Sequence, residues 1–152
     1  MAGTNAAAAK KALLDAIAAS ADTDLTGVIV SYSFSGKRLD EAREYIYGGK
    51  VDGSANHMAF QGSGRVPRRE DLTLDLHVRV DKPGQETTET AELRAVAIGA
   101  AVENLIAADP DLSGVTGLDV VKMTGLVLDS VVDDQGAIAI LTYQVALESS
   151  LG

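Results

Sequence analysis

The residues best equipped for chemistry cluster in Phe60–Asp71, "FQGSGRVPRRED", where Gly62 and Gly64 flank a serine and Arg65, Arg68 and Arg69 follow within five positions. Three chemistries suit those types: a glycine cradle for phosphate, a cationic grip on nucleic acid, or arginine forks for protein carboxylates. A phosphate loop needs its glycines to end in Gly-Lys-Ser/Thr and to open a helix, whose free N–H groups hold the anion. Here the glycines run into "RVPRRED" and an alternating apolar segment that reads as a strand, so that reading fails. His57 and His77 are the only histidines. His77 stands between Leu76 and Val78 and reads as a solvated strand histidine; His57 takes the same reading beside a loop. The nucleophile-elbow pattern Gly-x-Ser-x-Gly is absent. The acidic turn "DDQG" lacks the alternate-position ligands of a calcium loop. With no cysteine in the chain, disulfides and thiol chemistry are excluded and a zinc site would lack its usual sulfur ligands. No catalytic, cofactor or metal residue is assigned.

Charge narrows the other two readings. The 152 residues carry a formal net charge of -9, all of it in the C-terminal part: residues 83–152 hold two basic and eleven acidic side chains. Nine of the 13 basic side chains fall within 37–82. Arg65, Arg68 and Arg69 could neutralise phosphates, but an acidic chain with no tryptophan and 4% aromatics offers little stacking surface for bases. Protein–protein contact remains, because the planar guanidinium pairs well with carboxylates. Lys37, Arg38 and the loop arginines form the basic candidates. Asp133 and Asp134, or Glu86 and Glu89, form the acidic ones. A basic surface on one copy meeting an acidic surface on the next is a head-to-tail contact, which closes into a ring when the rotation permits.

The elements that must position these groups follow from periodicity. Residues 4–21 read as a helix capped by Thr4 or Asn5, with Leu13, Leu14, Ile17 and Ala18 on one stripe. Residues 25–34 are β-branched and aromatic, a strand. Two further strands are expected at 42–49 and 56–62, with Gly48 to Gly53 turning between them. Residues 70–80 alternate strictly: Leu72, Leu74, Leu76, Val78 and Val80 on one face, and Asp71, Thr73, Asp75, His77 and Arg79 on the other. After a Lys82-Pro83-Gly84 turn, 86–108 reads as a helix with Leu93, Val96, Ala97, Ala100 and Asn104 along one side and Val102 and Leu105 widening it. Acids crowd its N-terminal end, and Asp109-Pro110 ends it. Strands at about 118–132 and 137–149 close the chain around the turn Asp133–Gly136. The order α-β-β-β-β-α-β-β predicts an α+β fold, a mostly antiparallel sheet with two helices on one face. One domain spans 1–152, and 60–71 reads as a mobile loop. The longest apolar run, Ala95–Val102, is far short of the roughly 20 residues of a membrane span. The N-terminal segment reads as an amphipathic helix rather than a signal peptide. Lack of cysteine fits the reducing cytoplasm or a particle assembled there.

Taken in order, "VIVSYSF", "REYIYGG", "GSGRVPRRED" running into "LTLDLHVRV", "DKPGQETTET" leading to "AELRAVAIGAAVENLIAADPDL", and the late pair "GLDVVKMTGLVLDS" and "DDQGAIAILTYQVALESSLG" resemble the tail terminator proteins of long-tailed, non-contractile bacteriophages. The resemblance covers most of the chain and lies in the order of elements rather than in one diagnostic motif. "VSYSFSGK" departs from it, lacking the proline expected after its aromatics. The resemblance implies a virion protein at the head-proximal end of the tail, assembled in the host cytoplasm. It implies a homo-hexameric ring that caps the tail tube protein, stops its polymerisation and presents the surface for a head–tail connector protein. Genomic DNA would pass through the lumen, where acidic walls keep it from sticking; no cofactor, catalysis or membrane is involved. A head-completion or other connector protein is the alternative, and a small ligand-binding domain or enzyme using His57, His77 or the arginines a third. On the ring reading Arg65, Arg68 and Arg69 form or flank an interface loop that Gly62 and Gly64 let reshape.

Overall fold

The computed structural model describes residues 4–34, 43–57, 68–84, 87–112 and 118–151, without the side chains of 55–57, 68, 150 and 151. Its elements are α1 (Ala6–Ala18), a 3₁₀ turn (Thr23–Leu25), β1 (Ile29–Ser31), β2 (Arg43–His57), β3 (Arg68–Pro83), α2 (Glu89–Ala108), β4 (Leu118–Asp133) and β5 (Gly136–Leu151). The five strands form one sheet in the order β1-β2-β3-β5-β4. Only the β1–β2 pair is parallel; the other three are antiparallel. The fold is α+β, as the element order predicts.

The alternation in β3 places the core. Leu72, Leu74, Leu76, Val78 and Val80 are all buried beneath the helices, and β5 supplies the facing row Ala137, Ala139, Leu141, Tyr143, Val145 and Leu147. Such period-2 burial removes apolar side chains from water at about 25 cal/mol per Å². Helix α1 adds Leu13, Leu14 and Ile17. Its N-terminus is tied to the sheet in an unforeseen way. Asn5 makes no side-chain cap; its backbone N–H donates to buried Glu70 at 2.7 Å, while Thr4 Oγ1 accepts from Ala6 N at 3.1 Å.

Three expectations need correction. Gly48 to Gly53, read as a turn between two strands, lie inside one fifteen-residue strand, β2, with a bulge between Gly48 and Val51; residues 58–62 of the second expected strand lie outside the described residues. The glycines there serve close approach: a Cβ on Gly48 would lie 2.5 Å from Lys10 Cε, and one on Gly49 would lie 2.6 Å from His77 Nε2. The strand expected at 25–34 shortens to Ile29–Ser31 because a 3₁₀ turn occupies Thr23–Leu25, with the Asp22 carboxylate accepting from Asp24 N. Finally, α2 turns a different face to the sheet. Ala91, Ala95, Ile98, Gly99 and Val102 are buried, whereas Leu93 and Val96 are 64% and 48% exposed. Small residues bring this helix close to the sheet. A Cβ on Gly99 would collide with the Tyr143 hydroxyl and approach Leu141 to 2.8 Å, so the wider, more apolar stripe cannot be the one that packs.

β4 and β5 bear out the late hairpin. Asp133 Oδ1 accepts from the N–H groups of Gln135 at 2.8 Å and Gly136 at 3.2 Å, fixing the turn. β3 begins at Arg68, so the last four residues of 60–71 are strand; the remainder lies outside the described residues.

Candidate interaction surfaces

The sheet has a helix-covered face and an open face. On the open face, cross-strand rows bring together side chains that sequence spacing alone could not pair. Tyr47, His77 and Thr142 occupy one row of β2, β3 and β5. His77 Nδ1 lies 2.8 Å from Thr142 Oγ1, and its ring packs on Tyr47 at 5.0 Å between centroids. His77 is therefore half-buried and bonded, not the solvated strand histidine expected from its position. Burial, with a smaller contribution from the Lys10 charge, holds its imidazole below the usual histidine range, against an opposing pull from Asp75. Phe34 folds over this face, edge-on to Tyr45 at 5.5 Å and tilted on Tyr47 at 4.9 Å, with the Arg79 guanidinium 4.8 Å above its ring. Arg79 in turn donates to Asp81 at 2.7 and 3.2 Å. A shallow groove of about 370 Å³ runs from Tyr47 and His77 across Ile140 and Thr142 to Val127 and Val131. Among the described residues no cluster of three or more His, Cys, Asp or Glu could hold a metal ion, and no helix is long and apolar enough to cross a membrane.

The interface candidates from the sequence separate. Lys37, Arg38, Gly62, Gly64, Arg65 and Glu86 lie outside the described residues. Arg68 opens β3, its backbone opposite His57 and Leu151. Arg69 is engaged within its own chain, at 3.1 Å from Asp71 and 2.7 Å from Glu148 across the β3–β5 pair. Glu89 is exposed in the first turn of α2. Asp133 caps the hairpin turn and Asp134 is exposed at its tip. The strand register sets basic and acidic candidates far apart. Arg69 sits opposite Ser150 at one end of the β3–β5 pair, and the Asp133–Gly136 turn adjoins Pro83 at the other. Fourteen residues of strand at about 3.3 Å each put the two ends roughly 45 Å apart.

A surface that the charge argument missed lies at the β4 edge of the sheet. There Leu126, Val127, Leu128, Val131 and Val132 are all exposed. The signal was present in "GLVLDSVV": apolar residues at consecutive rather than alternate positions, so that both faces of one strand are apolar. Beside this edge, Glu92 of α2 accepts from the Ser130 hydroxyl at 2.6 Å, and Val96, one turn further along, extends the apolar surface onto the helix. The Tyr143 hydroxyl beneath α2 is pushed up to about 12 by burial, aided by Glu103. Arg94 anchors the far side of the helix, donating to Glu44 at 2.6 and 3.1 Å and to Asp24 at 3.1 Å.

No family model matches the chain, and no curated protein matches it in sequence. Among solved structures it is similar to a chain in the virion of a native gene transfer agent particle. The two share 15% identity with a TM-score of 0.58, over 97% of this chain and 100% of that one. At that identity the likeness is one of fold, and it extends over the full length of both chains.

Proposed function

We propose that this protein is a structural component of a phage-like virion, and that within it the chain forms a hexameric ring on the head-proximal end of a tail tube, ending tube growth and presenting the head-joining surface. The observation that carries this reading is the fold shared end to end with a gene transfer agent virion chain. The order of motifs resembling tail terminators adds the finer role. Two further features are consistent with an assembly protein. The chain exposes apolar strand and helix surface that a monomer seldom leaves bare. It also places its arginine-bearing and acidic ends on opposite ends of the sheet, which suits contacts to two different axial neighbours better than contacts between ring members.

The test is to mix the protein with polymerising tail tube protein and measure tube length by electron microscopy, with the mass of the bound species. Tubes of bounded length, each carrying six copies at one end, are expected. Unchanged tube growth together with binding to head or connector particles would favour the connector reading; binding to neither would overturn both. An Arg68→Glu/Arg69→Glu variant is expected to lose capping, because it reverses the charge at the start of β3. Full capping by that variant removes these arginines from the contact.

A further inference from the structure

We infer that copies of this chain join edge to edge, the β4 edge of one copy adding antiparallel to the β1 edge of the next. This rests on the proposed ring and supplies its interface.

An uncovered strand edge invites pairing, and proteins that stay monomeric blunt it with charge, proline, brevity or bulges. The two bulges of β4 lie between Leu118 and Val120 and between Met123 and Gly125. Beyond them the strand runs regularly to Asp133 with no proline and no lysine. It is apolar on both faces: Val127 (62% exposed) and Val131 (55%) on the open side, Leu126 (59%), Leu128 and Val132 on the helix side. A lone added strand would satisfy the edge and leave these side chains wet. Covering them takes a partner with both a sheet and a helix layer.

The opposite edge of the same sheet meets that description. β1 has no outer neighbour among the described strands, exposes Ile29 and, just beyond it, Tyr32 and Phe34, and is backed by α1, which sets Leu14, Ala18 and the Lys11–Asp15 ion pair beside Val30 and Tyr32. The sheet register sets the two edges level. Val30, Ile46, Val78, Leu141 and Leu128 form one continuous row across all five strands. Through the same pairings, Ile29 shares a row with Asp129 and Ser31 with Val127. β1 and β4 run in opposite directions, so rotating a copy about an axis along the strands lays them antiparallel with apolar segment against apolar segment.

Charge favours this contact over a symmetric one. A two-fold β4–β4 pair centred on the apolar segment would bring Asp129 against its own counterpart, and like charges directly opposite are unfavourable. In the head-to-tail pair Asp129 meets the Ile29 level, where Ile29, Arg43 and Lys82 line one surface pocket together with Glu44, whose carboxylate is held by Arg94.

The absence of native cysteine makes the test direct. In a Ser31→Cys/Val127→Cys variant, mild oxidation or a short bismaleimide is expected to yield a ladder of covalent oligomers ending at six, both for concentrated protein and for protein bound to tubes. Each single variant alone should give no cross-link, and a mixture of the two should give dimers and nothing larger. Dimers from Val127→Cys alone, or no ladder in either state from a reduced double variant that melts like the wild type, would overturn the edge pairing. Capping of tubes without a ladder would overturn this interface while leaving the terminator reading intact. A ladder with unaltered tube growth would do the reverse. As a second handle, Val127→Glu/Val131→Glu replaces only exposed side chains and is expected to weaken self-association at least tenfold at unchanged melting temperature; undiminished association counts against the proposal.

Discussion

β3 and β4 are both sixteen residues long, and both pair antiparallel with β5. Yet they use their apolar residues in opposite ways. β3 lies between β2 and β5, alternates strictly, and buries every apolar side chain from Leu72 to Val80 under the helices. β4 lies at the edge and exposes apolar residues on both of its faces. A central strand has one face to bury, and period-2 patterning describes it fully. An edge strand has two faces and a hydrogen-bonding edge, and when all three are apolar or unpaired it is incomplete as a single chain. The contrast separates the apolar residues that fold the chain, Leu118 and Val121 of β4 among them, from the exposed segment 126–132 that the proposed edge pairing would cover.

The sharpest way to break that contrast is to truncate one residue from each strand. Leu76→Ala, at a fully buried position, is expected to cost about 2–5 kcal/mol in urea unfolding. Val127→Ala is expected to cost less than about 0.5 kcal/mol, since exposed positions rarely matter to the monomer. Equal losses would mean that the 126–132 segment of β4 serves the core as Leu118 and Val121 do.

A smaller effect tests whether α2 is held by its polar side while its apolar stripe stays outward. Arg94→Ala removes the guanidinium joining Glu44 and the 3₁₀ turn. Charged hydrogen bonds of this kind, discounted for partial exposure, are worth about 1–2 kcal/mol. Leu93→Ala on the outward stripe should change little. If Leu93→Ala proves the costlier of the two, the helix faces the other way.

The smallest effect concerns the open face of β3. Because burial depresses the His77 pKa, the folded chain takes up its proton at lower pH than the unfolded chain does. Stability is therefore fully present above the ordinary histidine range and is lost as pH falls through about 6.5. Wild type is expected to lose more stability than His77→Gln between pH 7.5 and 5.5, an effect smaller than those above. Parallel urea midpoints for the two proteins across that range would show that the ring is not desolvated.

Much of this architecture was readable from local pattern. The alternation of 70–80, the Asp133–Gly136 turn, the stop at Asp109-Pro110 and the buried Leu13, Leu14 and Ile17 all depend on neighbours within a few positions. The misreadings share one cause. Gly48 and Gly49 look like a turn in sequence, and only the presence of Lys10 and His77 above and below shows them to be clearances in a continuous strand. Leu93 and Val96 make the stronger apolar stripe, and only Tyr143 beneath Gly99 explains why the alanine side packs instead. Of the charged candidates, the sequence could name residue types but not their partners: Arg69 turned out to be bonded to Asp71 and Glu148 in its own chain.

By itself the sequence determined the two helices, the central strand and the closing hairpin, which face of the central strand is buried, and that the charge is unevenly divided. These follow from backbone periodicity and composition, which are properties of short segments. The tertiary structure alone decided which strands stand at the edges, that the two exposed apolar segments lie on one level of the sheet, and that Arg69 and the Asp133–Gly136 turn are far apart. Those depend on strand order and register, which are fixed by pairings between residues as far apart in sequence as Arg68 and Leu151.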